Sequence, residues 1–125
     1  MSRWRREASE RLPELQFIIA SREVDRPMML WIELSTKFGK LCEQEDPPVD
    51  LLKRIWGYCS WCLTDGGGDV PTAAALGFCE HLLESPQRAA MLPRIMSRGE
   101  FLQVRNFLEY HHTPEVVDGW LSKLW

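Results

Sequence analysis

Apolar side chains return at intervals of three and four residues along nearly the whole chain, and no stretch alternates apolar with polar residues between hairpin turns. This pattern predicts an all-α fold, a compact bundle of about six to seven helices joined by short loops. The predicted helices span 3–22 with a bend near Pro13, then 26–44, 47–64, 70–84, a short one at 86–92, 98–111 and 114–124. In the second, Trp31, Leu34, Phe38, Leu41 and Cys42 form a one-sided stripe. In the third, Leu51, Leu52, Ile55, Trp56, Cys59, Cys62 and Leu63 cover an arc too wide for a surface helix, which makes it the candidate centre. Ala73, Ala74, Ala75 and Gly77 would admit a neighbouring backbone, with Phe78, Leu82 and Leu83 as larger knobs beside them. Phe101, Leu102, Val104, Phe107 and Leu108, and then Val116, Val117, Trp120, Leu121 and Leu124, supply the last two faces. Short connections predict that successive helices pack as antiparallel neighbours.

Helix starts are marked by a side-chain oxygen shortly before proline, at Asp25-Arg26-Pro27, Asp46-Pro47-Pro48, Asp69-Val70-Pro71, Ser85-Pro86 and Thr113-Pro114. Such an oxygen can accept from the free amides of a first turn, and proline there sacrifices no hydrogen bond. Ser97-Arg98-Gly99-Glu100 adds a capping box.

Length and composition narrow the picture. A chain of 125 residues, 45% apolar and 26% charged, has the content of one globular domain over residues 1–125. Such a chain buries roughly two-thirds of its unfolded surface. A net charge of −3 offers no overall attraction to polyanions. The one basic cluster, Arg3, Arg5, Arg6 and Arg11, is interleaved with Glu7 and Glu10, and Arg3/Glu7 and Arg6/Glu10 read as a salt-bridging face, so nucleic acid is not an expected partner. With no apolar leader and no run long enough for a bilayer, the expectation is a cytoplasmic, non-membrane protein whose cysteines stay reduced.

Three of the four cysteines fall between Tyr58 and Leu83. Cys59-Ser60-Trp61-Cys62 has the CxxC spacing of a dithiol centre, but it falls at the end of a predicted helix, where the dipole disfavours a thiolate. Zinc is the alternative, with Cys59, Cys62, Cys79 and His81 as ligands across the glycine hinge. Cys79 and His81 at i, i+2 diverge on a helix, so the favoured expectation is thiols as inert core filler, with no cofactor. His81 is read as filling the space beside Gly77, and no nucleophile with a matching base can be named. Gly66-Gly67-Gly68 lacks the lysine and strand of a phosphate loop and reads as a helix end and turn. His111-His112 reads as a helix cap.

Of six tryptophans, Trp4 and Trp125 at the chain ends are hardest to cover. The expectation is that they pack on each other, and otherwise they form an apolar binding patch. Leu30-Trp31-x-x-Leu34, Tyr58-x-x-Trp61-Cys62, Thr72-Ala73 and Phe78-x-Glu80-His81-Leu82 together resemble a small uncharacterised bacterial all-helical family, over most of residues 12–110. The resemblance implies a helical fold and an association with toxin-immunity neighbourhoods, and it brings no catalytic residue. The functional expectation is a non-enzymatic protein-binding module, immunity-like, monomeric or homodimeric, whose acidic strip Glu43, Glu45, Asp46 and Asp50 faces a basic partner. The alternative is a small zinc-binding structural protein built on the cysteine set.

Overall fold

A computed structural model describes residues 1–125 as eight α-helices with no strand. They are α1 (Arg3–Arg11), α2 (Gln16–Ile19), α3 (Pro27–Cys42), α4 (Val49–Asp65), α5 (Val70–Gly77), α6 (Pro86–Ile95), α7 (Arg98–Leu108) and α8 (Pro114–Leu124). Single 3-10 turns at Pro13–Leu15 and Cys79–His81 link α1 to α2 and α5 to α6. The fold is all-α as expected, and the additional helix is α2. It arises because Pro13 pushes the residue before it out of the helical region: Leu12 has φ −128° and ψ 56°. The expected 70–84 helix also breaks, at Phe78, with φ −132° and ψ −57°. There the ring turns inward between Trp31 and Phe38, at centroid distances of 5.1 and 4.9 Å. Aromatic packing at the break thus replaces backbone continuity.

The three hydroxyl caps form. Ser85 accepts from the Arg88 amide, Thr113 from the Val116 amide, and Ser97 with Glu100 completes the capping box. The three aspartates do not cap. Arg26 and Pro48 hold the N-cap positions of α3 and α4, which leaves Asp25 and Asp46 too far upstream. Asp69 does precede α5, but at φ −90° and ψ 0° it lacks the extended backbone that aims a capping side chain.

One cluster of 35 buried residues runs from Ala8 to Leu121. Helix α4, the expected centre, packs against α1, α3, α5 and α6, and short α5 lies against both α3 and α4, which meet each other less extensively. Ala73, Ala74, Ala75 and Gly77 are all buried, and a Cβ on Gly77 would stand 2.7 Å from the Trp31 Cβ. Trp31 stacks on Tyr58 with centroids 5.3 Å apart, and the Tyr58 hydroxyl donates to the Trp4 carbonyl at 2.7 Å. The Trp31 indole N–H is buried without an oxygen or nitrogen partner, and the Cys62 thiol is its polar neighbour. Leu102 and Val116, expected in the core, face outward.

The N-terminal arginines bind backbone more than carboxylates. Arg5 donates to the Ile19 and Val24 carbonyls, Arg3 to the Asp65 carbonyl at 3.1 Å, and Arg11 pairs with Glu7 at 2.7 Å in place of the expected Arg3/Glu7 contact. No helix is long and apolar enough to cross a membrane.

Candidate functional site

Helix α6 carries Arg88, Leu92 and Ile95 at i, i+4 and i+7, and all three are buried. An arginine therefore stands where the helical period calls for a core residue. Its guanidinium runs along α3 beside Gly39, where a Cβ would come within 2.5 Å of Nη2. Nη2 donates to the Ser35 carbonyl at 2.7 Å, Nη1 to Ser35 Oγ at 3.2 Å, and the group lies 5.7 Å from the centre of the Phe38 ring. Arg88 is only 9% exposed, yet none of the ion pairs in the protein includes it. Burial presses its pKa below the ordinary arginine value, and the more distant Glu84, the Cys42 thiol and Glu43 only partly offset this.

Arg88 lines a cleft of about 390 Å³ between α3, α5 and α6. Ser35, Thr36, His81 and Glu84 supply its polar flank, and Met28, Ile32, Leu76 and Gly77 the rest. His81 Nδ1 meets Glu84 at 2.9 Å and its ring stacks on His111, which meets Glu80 at 2.6 Å. Each imidazole thus faces a carboxylate, and no hydroxyl or thiol bonds to either ring. The cleft is equipped to hold an anion, while general-base activation of a nucleophile lacks its partner. A second cavity of about 380 Å³ between α4, α5 and α7, lined by Trp56, Leu63, Ala75 and Phe107 among others, contains no ionisable residue.

The cysteines are divided among different surroundings. Cys59 and Cys79 meet with sulfurs 3.5 Å apart, Cys62 adjoins Tyr58 and Trp31, and His81 points to Glu84 at the surface. No three or more His, Cys, Asp or Glu side chains converge on a point that would hold a metal. The zinc set named from sequence is therefore not assembled, because the 3-10 turn carries His81 outward while Cys79 turns inward. Burial raises the Cys42 and Cys62 thiols to about 11 and lifts Cys59 well above its usual value. The space at Gly77 is taken by Trp31 and not by His81, and His111 reaches Glu80 instead of capping α7.

Glu43, Glu45 and Asp46 are exposed between α3 and α4 without ion pairs, whereas Asp50 is engaged by Arg54 at 2.9 Å. Trp4 and Trp125 are half-buried at separate places: Trp125 packs on Phe101 at 4.9 Å, and the Arg5 guanidinium lies 4.9 Å over Trp4. The expected Trp4–Trp125 stack is replaced by these two contacts. Arg88 was missed in the sequence, although its place in the stripe with Leu92 and Ile95 marks it. No family model matches the chain, and no curated protein or solved structure matches it.

Proposed function

We propose that the protein is a non-enzymatic binding module that holds an anionic group of its partner in the Arg88 cleft. One observation carries this reading: a nearly buried arginine, its guanidinium hydrogen-bonded to Ser35 alone and in ion-pair contact with no carboxylate, lines an open cleft. Withdrawing such a charge from water costs several kcal/mol unless an opposite charge or hydrogen bonds offset it. An incoming anion would supply that charge through short charge-assisted bonds. The acidic turn at Glu43, Glu45 and Asp46 offers only exposed charges that water screens, so a basic partner docking there has less support. In an immunity-like role, the anionic group would belong to the toxin.

The test is a titration of the ¹⁵N-labelled protein with acetate at low ionic strength, following the arginine Nε–H resonances. A saturable shift at Arg88, absent from Arg88→Met, is the expected result. An unmoved Arg88 resonance with acetate and phosphate alike removes the proposal.

A further inference from the structure

The Arg88 cleft has an apolar side that the binding of a bare anion would leave unused. Ile32 and Leu76, 44% and 43% exposed, are two of the few large apolar side chains left outside the core, and both line this cleft. Met28 lies half-buried beside them. Small-molecule sites span about 300–1,000 Å³. At about 390 Å³ this cleft has the size for a single residue or a small acid.

The cationic side narrows the chemistry. A guanidinium has five N–H donors in a planar fork, of which Ser35 occupies two. The donors that Ser35 leaves free can give charge-assisted hydrogen bonds to a carboxylate. Glu84 lines the same cleft and repels a second negative charge, so a singly charged carboxylate is favoured over a phosphate dianion. Resting on the anion-binding reading above, we infer that the cleft takes a monocarboxylate borne on a short aliphatic group. Two sources share that chemistry: the C-terminal residue of a peptide ending in an aliphatic side chain, and a free branched-chain acid. In both, the carboxylate meets Arg88 while the alkyl group covers Ile32 and Leu76.

Calorimetric and NMR titration of the full chain with N-acetyl-leucine, its amide, 3-methylbutanoate, acetate and inorganic phosphate tests this. N-acetyl-leucine is expected to bind at least about tenfold more tightly than its amide, the factor typical of a charged hydrogen bond. Arg88→Met should erase that difference. Ile32→Glu, on an exposed rim position, should weaken binding comparably by placing a negative charge beside the carboxylate, and it carries the test should Arg88→Met fail to fold. Tighter binding of N-acetyl-leucine than of 3-methylbutanoate identifies a peptide terminus, and the reverse order identifies a free acid, with the shared chemistry upheld in both cases. Acetate or phosphate binding as tightly as N-acetyl-leucine overturns the aliphatic inference while leaving Arg88 as an anion receptor. Amide binding equal to that of the acid overturns the carboxylate, and silence of Arg88 toward every probe overturns both readings.

Discussion

Arg54 on α4 and Arg88 on α6 each reach from their own helix to another part of the chain, but into unlike surroundings. Arg54, with a side chain 33% exposed, meets Asp50 at 2.9 Å, Glu14 at 2.8 Å and the Arg11 carbonyl at 2.9 Å. Arg88, 9% exposed, has only Ser35. Full pairing is therefore supplied where water could have screened the charge, and withheld where water is mostly excluded. If stability alone governed both positions, the opposite arrangement would be expected. Arg54 has the form of a structural clasp, and Arg88 that of half an ion pair.

The largest effect should come from the wall behind the cleft. Gly77→Val drives new atoms into Trp31, and a loss of about 3 kcal/mol in urea unfolding is expected, because a packed core resists added bulk. Retained stability there would mean that α3 and α5 can separate, so that the enclosed setting of Arg88 is not fixed. The two arginines can then be compared directly. Arg54→Met should cost about 1 kcal/mol, as for a well-formed but partly exposed network. Arg88→Met should leave stability unchanged or raise it slightly, since a lone buried charge is replaced by an apolar chain. A greater loss at Arg88 than at Arg54 would reverse the comparison.

Acid titration sharpens the Arg54 side. The hydrogen bond from Arg54 holds Glu14 at about 2, below the ordinary 4.5. A carboxylate with a lowered folded-state pKa stabilises above the unfolded value and loses that contribution as pH falls through the folded one. Thermal melts should therefore show a decline between about pH 4.5 and 2 that Glu14→Gln flattens, and added salt should diminish it. The smallest signal is expected from the thiols. Burial raises Cys42 to about 11, with Arg88 opposing, and raises Cys62 to about 11 as well. Iodoacetamide at pH 8 should leave the native protein unlabelled over the time in which an exposed thiol reacts fully, as mass spectrometry would register.

Helix positions were legible because local signals decide them. Ser85, Ser97 and Thr113 sit immediately before a first turn with extended backbones, and their hydroxyls cap as the sequence suggests. Asp25, Asp46 and Asp69 use the same chemical vocabulary at the wrong position or backbone angle, which residue type does not reveal. The break at Phe78 was hidden because its cause is distant: Trp31 and Phe38, some 47 and 40 residues earlier in the chain, receive the ring. Arg88 was half-legible. Its spacing to Leu92 and Ile95 indicates burial, but the glycine that makes room for it and the serine that receives it belong to α3. The divergence of Cys79 and His81 was legible from their i, i+2 spacing, whereas the 3-10 turn that carries them in place of a continuous helix was not.

The clamp made by Arg5 has a consequence for the order of assembly. The bend after α2 has no glycine to end the helix, and two of its carbonyls, from Ile19 and Val24, are received by a guanidinium 14 and 19 residues upstream. The bend has its own backbone hydrogen bonds, and α1 braces it further through these two carbonyls. During synthesis α1 leaves the ribosome before α2, so the helix that braces the bend is present before the bend itself.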